Sequence, residues 1–521
     1  MTSTLLGIMN IGKQSITNNQ IALNVVSNNI ANMNTKNYTK QRVDFAALPA
    51  YDTFNWCSKF SNLKIGHGAE IAGISNKRSE WADNNFRGQN TGSGYYNQIG
   101  SMTNNLDNLL SNELSNTGLQ SKFSEFFKAS EALSGDPTNA AYKLAFVNAA
   151  QNVSDMLNGM SKTVNGYMEQ AVGKFGDADS FKNSLLTTNV DQLNAKLEQL
   201  ATINKVINQN SSEGSISSDL QDQQQAILDE LSSMIPLTTT TNENGTVNVL
   251  IDGFSVVKGG EKVLDVQAVQ TDDEDHPVKI QLLNKDGSLK ADDVTGAFEH
   301  SAIGAIIEMG SADSFGYKSV LNELDKLASV FAEEMNRIQT QADANGTPLY
   351  IGPDGTLVES TTPMFVTKDG SANFTAGNIQ INPDIVNNTS LVATARIDTT
   401  AADYDDRAVG NASNMDLFNN LAKGKLTGLS LTDPPGEGMS ITDFLSGLVS
   451  KIGSDIASIN NAKDAQDAVT EQATNERDIL YGVDLNEELA DLIRYQRSYE
   501  ASARVFNTAN ELLQLIVQLG R

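Results

Sequence analysis

The chain has 521 residues, 39% of them hydrophobic, and carries 37 Lys and Arg against 64 Asp and Glu for a formal net charge of −27. That length allows about three or four domains, and the acidic balance excludes a phosphate-binding surface as the main business, because nucleic-acid affinity needs clustered cations. The single cysteine, Cys57, forbids an intrachain disulfide, and no run approaches ~18 apolar residues, so no membrane span is expected.

The first ten residues lack the basic region and continuous apolar run of a secretory signal, which by itself implies a soluble protein of a reducing compartment. Met9, Ile16, Leu23 and Ile30 then recur every seven residues, with Val26 and Met33 three beyond the last two. A seven-residue repeat marks a helix that packs lengthwise against another helix. The positions between are rich in Asn, Gln, Ser and Thr, so the stripe is narrow. A lone helix of this kind gains too little burial to be stable.

Residues 95–233 read as helical, with apolar stripes at Phe123, Phe126, Phe127, Ser130 and Leu133 and at Val190, Leu193, Leu197, Leu200 and Ile207. Gly135-Asp136-Pro137 breaks them. The period then falls to two. Segments 237–241 and 246–251 alternate around Asn242-Glu243-Asn244-Gly245, Asp252-Gly253 leads into 254–257, and 278–283 precedes Lys285-Asp286-Gly287. Leu321, Leu324, Ala328, Phe331, Met335 and Ile338 predict a further helix that stops at Asp343-Ala344-Asn345-Gly346. Short alternating segments and a loop at Pro434-Pro435-Gly436 follow, and a helix over 441–482 leads into the last stripe. There Leu485, Leu492, Tyr499, Phe506 and Leu513 recur every seven, with Tyr495, Ala509 and Ile516 on the adjoining seam.

The expected fold is mainly α with inserted β-rich domains, a multidomain α+β chain. Its N- and C-terminal helices (1–50 and 482–521) pair as a coiled coil. A rod-like helical bundle (51–235, 311–346 and 436–481) forms the middle layer, and two small outer domains follow, one β-rich (236–310) and one β and irregular (347–435). An ordinary helical domain within one monomer is the alternative for the two end stripes. Their position at opposite ends of the chain favours a stem on which the other domains hang.

Catalytic chemistry finds little footing. The three histidines, His67, His276 and His300, sit in no HExxH pattern. His276 lies in the charged turn Asp272-Asp273-Glu274-Asp275-His276-Pro277, which reads as a solvated loop before a ligand set. Asp343-Ala344-Asn345-Gly346 lacks the ligand order and distal Glu of an EF-hand, and there is neither a phosphate loop nor a GxSxG elbow. Cys57 has only His67 nearby as a base. No catalytic, cofactor-binding or metal residue is assigned. Arg494, Arg497 and Arg504 stand near Glu487, Glu488, Asp491 and Glu500 at helical spacing, and both surface pairs and intersubunit pairs remain open.

The ends carry a resemblance. Asn24 to Thr35, including Ser27, Asn28, Asn29, Ala31 and Asn32, resembles the N-terminal signature of flagellar rod, hook and hook-associated proteins. Gly482-Val483-Asp484-Leu485-Asn486-Glu487-Glu488 and the segment from Tyr495 to Ala503, with Gln496, Tyr499 and Ala501, resemble the matching C-terminal signature. Tyr38-Thr39-Lys40-Gln41 is closer to the hook-associated protein 1 family than to hook protein, although Lys36-Asn37 replaces the usual Pro-Gly. Residues 218–231 resemble that family's helix entering its β domain, with Gln224 and Gln225 near its usual Arg-Asp.

The resemblance implies a non-enzymatic structural subunit of the bacterial flagellum, at the junction of hook and filament. It implies a ring of about eleven copies contacting hook protein and a second hook-associated junction protein, without nucleic acid, membrane or cofactor. It further implies export through the flagellar type III apparatus without a cleaved signal, and an export chaperone at the C-terminal region. The expected location then moves outside the cell. The assembly contacts are expected at Met9, Ile16, Leu23, Val26 and Ile30 and at Leu485, Leu492, Tyr499, Phe506, Leu513 and Ile516. A hook or distal rod protein is the alternative, and an exported enzyme or adhesin a more distant one.

Overall fold

The computed structural model describes residues 2–35, 37–48, 68–76, 78–113, 118–212, 218–398, 410–431 and 438–519. Cys57, His67 and Pro434-Pro435-Gly436 lie outside the described residues. In chain order the elements are helix α1 (Thr2–Asn32), the antiparallel strands β1 (Gln41–Ala47) and β2 (Ala69–Asn76), and helices α2 (Glu80–Glu113), α3 (Leu119–Gly135), α4 (Ala140–Val172), α5 (Ala178–Lys182), α6 (Leu185–Ser212) and α7 (Ser218–Met234). Strands β3 (Thr238–Thr241), β4 (Val247–Ile251), β5 (Phe254–Lys258) and β6 (Glu261–Lys262) form one antiparallel sheet, and β7 (Leu264–Gln270), β8 (Val278–Asn284) and β9 (Leu289–Ala291) another. Helices α8 (Ala302–Gly310) and α9 (Tyr317–Thr340) follow. Next come β10 (Thr347–Ile351), β11 (Leu357–Glu359), β12 (Phe365–Thr367), β13 (Ile379–Ile381), α10 (Pro383–Asn387), β14 (Ala395–Ile397) and α11 (Ser413–Asn420), before the long α12 (Ile441–Tyr481) and α13 (Leu485–Leu519).

Two compact units result. The first gathers Met1–Ser93, Leu193–Asp265 and Gln466–Arg521, and so holds both chain ends. The second contains Gly94–Gln192 and Val266–Ala465. The segment expected to be one β-rich domain, 236–310, ends in helix α8 and is divided between the units after Asp265.

In the first unit the helical stripe on α6 is buried at Leu193, Leu197, Leu200 and Ile207. Between those apolar residues Asn204, itself fully buried, donates to the Val247 carbonyl at 2.7 Å and accepts the Val247 N–H at 3.1 Å. One side chain thus satisfies a backbone pair of β4 that burial would otherwise orphan. Strands β4 and β5 meet at Asp252-Gly253, with φ of 49° and 76°. A two-residue hairpin turn of the right twist requires positive φ at both positions, which is why Asp-Gly stands there.

The second unit is organised around phenylalanines. Phe123 and Phe126 of α3 approach Phe331 of α9 at 5.0 and 5.5 Å between ring centres, and Phe126 approaches Phe146 of α4 at 5.1 Å. Phe146 meets Phe418 of α11, and Phe331 meets Phe365 of β12. Each buried ring contributes about 1.5–3 kcal/mol relative to exposure. Helix α9 buries Leu321, Leu324, Ala328, Phe331, Met335 and Ile338, the stripe read from spacing. Asn139 caps α4 by accepting the N–H groups of Ala141 and Tyr142, two residues beyond the Gly-Asp-Pro break.

Candidate assembly site at the paired terminal helices

Helices α1 and α13 lie antiparallel. A β-carbon on Gly12 would stand 3.3 Å from Phe506, the Ser15 and Ser502 hydroxyls are 2.7 Å apart, Tyr495 packs on the cluster of Ala22, Val25 and Val43, and Asn29 reaches Glu488 at 3.0 Å. The α1 seam therefore runs Gly12, Ser15, Asn19, Ala22, Val26, Asn29, in alternating steps of three and four. The facing stripe on α13 is bulky, with Leu492, Tyr495, Tyr499 and Phe506 among its members. Small residues against large ones allow close approach, as in a coiled-coil seam.

Of the expected assembly residues on α1, Val26 is buried in this seam. Met9, Ile16, Leu23 and Ile30 fall one position beyond the seam and are half-buried. On α13 Leu492, Tyr499, Phe506, Leu513 and Ile516 are half-buried on the stripe that faces α1 of the same chain, whereas Leu485 is exposed. The seven-residue apolar repeat follows the large side chains. On α1 the seam is made of small and polar ones, so the apolar repeat marks a flank.

The signature residues converge on Asn29, which is 1% exposed. Its Oδ1 accepts the Tyr38 hydroxyl at 2.8 Å and the Gln41 N–H at 3.0 Å, and its Nδ2 donates to the Gln41 carbonyl at 2.9 Å and to Glu488. Every polar position of the amide is used. Lys40 Nζ lies 2.8 Å from both Glu487 and Glu488, the latter 1% exposed. Burial pulls the Lys40 ammonium down, but its hydrogen bonds to Glu487 and Glu488 outweigh that and raise it. Burial, then the charges of Asp219, Asp222 and Glu488, push the Tyr38 phenol up to about 12. Asn37 adopts φ 65°, a left-handed conformation that Asn tolerates better than most residues.

The strap from Tyr38 to Gln41 is held from its other side too. Thr39 N–H donates to Asp222 at 3.1 Å, Gln41 Nε2 to Asp219 at 3.1 Å, and Lys40 N–H to the Tyr481 carbonyl at 3.0 Å. Burial raises the Asp222 carboxyl, against the lowering pull of Thr39 and Arg78. The C-terminal signature has an equally local logic. Gly482 ends α12 where a β-carbon would meet the Asp478 carbonyl at 2.4 Å, and Asp484 caps α13 by accepting the N–H groups of Asn486 and Glu487. Ser27, Ala31, Gln496 and Ala501 are exposed, while Asn28, also exposed, accepts from Asn32 at 2.9 Å.

Below the strap three arginines and three aspartates neutralise one another. Asp229 receives Arg87 Nε at 3.0 Å and Arg477 Nη1 at 2.6 Å, and Arg78 lies 3.4 Å from Asp83 and 3.3 Å from Asp222. Arg477 also lies over the Phe86 ring at 4.0 Å. None of these residues announces itself by period or motif. Gln224 and Gln225 do belong here: Gln224 donates to Asn204 and the Gly245 carbonyl, and Gln225 accepts from Arg87.

Away from the termini, in the second unit, His276 bridges Asp273 and Asp313, each at 2.8 Å. Among the described residues no group of three His, Cys, Asp or Glu is placed to hold a metal ion, and no helix is long and apolar enough to cross a membrane. Arg494 pairs with Asp491 of its own helix at 3.1 Å.

Comparison with known proteins adds the following. The family model for the flagellar hook-associated protein FlgK helical domain matches residues 103–350. The flagella basal body rod protein model matches 9–39, and the flagellar basal body rod FlgEFG protein C-terminal model matches 481–519. Flagellar hook-associated protein 1 of Bacillus subtilis is 25% identical over 539 residues, covering 99% of this chain and 98% of its own. That of Escherichia coli is 23% identical over 558 residues, covering 96% and 97%. Among solved structures, the flagellar hook junction protein FlgK of Burkholderia pseudomallei has a similar fold, with a TM-score of 0.56 at 14% identity, over 75% of this chain and 99% of that one.

Proposed function

The chain belongs to the flagellar hook-associated protein 1 family, and from that premise we propose that it works as a structural subunit of the hook–filament junction whose terminal helix pair is the assembly element. The observation that carries this reading is a coincidence of two kinds of evidence. The segments that match rod-type terminal models, 9–39 and 481–519, are the two that pair in the structure through Asn29 and Glu488.

In this reading copies associate side by side into a ring of about eleven, between hook protein and a second hook-associated junction protein. The half-buried flank of Met9, Ile16, Leu23 and Ile30 and the exposed Leu485 supply contacts to neighbours. The chain leaves the cell through the flagellar type III apparatus without a cleaved signal, met beforehand by a chaperone near its C-terminus. The net charge of −27 fits a well-solvated, well-dispersed subunit. The test is electron microscopy of flagella from a strain lacking this chain. Hooks without filaments are expected, and filaments of normal length on such hooks overturn the reading.

A further inference from the structure

A heptad seam of small residues against large ones can slide, because moving one helix by seven residues regenerates a seam of the same kind. The buried amide of Asn29 is what such a slide does not regenerate. In the observed register its Oδ1 takes the Tyr38 hydroxyl and the Gln41 N–H, and its Nδ2 takes the Gln41 carbonyl and Glu488. One heptad in one direction sets Asn29 opposite Tyr495. One heptad in the other sets it opposite Tyr481, before α13 begins at Leu485. Either slide leaves Glu488 and Lys40 without the geometry that now joins them at 2.8 Å. Losing a buried partner of a charged group shifts a population by about tenfold or more.

We propose that Asn29 is the register-setting residue of the terminal helix pair, acting through Glu488 and the strap Tyr38–Gln41. It is a positioning residue: by fixing which side chains of α1 and α13 face each other, it fixes which remain outward. The inference rests on the reading of the pair as the assembly element only for its consequence in the flagellum. The register itself is a property of the single chain.

Disulfide trapping in the full-length chain, with Cys57→Ser as background, reads the register directly. Ser15→Cys with Ser502→Cys reports the observed register, since those hydroxyls are 2.7 Å apart. Ser15→Cys with Ala509→Cys reports a slide of one heptad. With Asn29 present, only the first pair is expected to cross-link. With Asn29→Val, the in-register yield falls about tenfold or more and the slipped pair appears. Asn29→Asp behaves like Asn29→Val, because a carboxylate can donate neither to the Gln41 carbonyl nor to Glu488. The proposal is overturned by a slipped cross-link in the Asn29 chain, by no in-register cross-link there, or by unchanged exclusive trapping in Asn29→Val. Loss of both cross-links in Asn29→Val also overturns it, because that outcome marks a residue that only stabilises the pair. These readings come from purified chain, so they stand or fall apart from any result on filament assembly.

Discussion

Gly12 lies against Phe506 so closely that a β-carbon built on it would come within 3.3 Å of the Phe506 Cβ. A methyl there gains about 1 kcal/mol of helix propensity over glycine, which offsets a displacement of a few tenths of an ångström. Gly12→Ala should therefore be close to neutral. Gly12→Leu has no room and should part the helices at that level. The rate at which a protease removes the terminal segments separates the two: faster for Leu, unchanged for Ala.

Asp229 is shared by Arg87 and Arg477. Removing it leaves two buried guanidinium groups short of charge, and breaking a buried pair from one side costs about 3–5 kcal/mol. Asp229→Ala should lower the unfolding free energy of the first unit by that order and its denaturant midpoint with it, while Glu198→Ala, on the exposed side of α6 in the same unit, should move neither. Equal midpoints for the two variants would mean that the network is not structural.

His276 is raised to about 8 by its hydrogen bonds to Asp273 and Asp313. A histidine held above its ordinary value near 6.5 favours the folded loop while it is protonated. Its contribution is complete below pH ~6.5 and is lost as pH rises through about 8. Proton NMR of the imidazole should give a midpoint near 8 in the parent chain, moving down in Asp313→Asn. A parent midpoint at the ordinary histidine value would remove the clamp.

Leu23 and Leu513 should fail differently. Leu23 flanks the seam, so Leu23→Asp is expected to keep the Ser15–Ser502 proximity yet block incorporation into flagella. Leu513 belongs to the seam stripe, so Leu513→Asp should lose both. The folded middle, followed by near-ultraviolet circular dichroism, should be unchanged in each. Normal incorporation of both variants would refute the assembly role of the ends.

The helices and hairpins were legible wherever a period or a turn residue dictates them: α9 from its six buried apolar positions, and β4–β5 from Asp252-Gly253. The terminal seam was legible on α13, where Leu492, Tyr495, Tyr499 and Phe506 stand beside Ser502 and Ala509, and displaced by one position on α1, whose seam is Gly, Ser, Asn, Ala and Val. Hydrophobic periodicity finds what is greasy, not what is close. The strap and the arginine–aspartate network were not legible at all, since Asp222 and Asp229 become partners of Thr39, Arg78, Arg87 and Arg477 only through folding. The signature residues were recognisable by resemblance, but their chemistry, four hydrogen bonds on one amide, required coordinates.

Helix α1 carries one charge, Lys13, and a seam with no large apolar side chain in its central turns. When the chain is unfolded, this stretch offers water hydroxyls and amides, with its apolar residues in runs of two or three broken by Gly7, Asn10 and Asn24, in place of a continuous sticky run. The same choice that leaves the folded pair dependent on a few hydrogen bonds therefore keeps the open chain wettable and slow to clump. Weak adhesion in the helix is the other face of good manners in the coil.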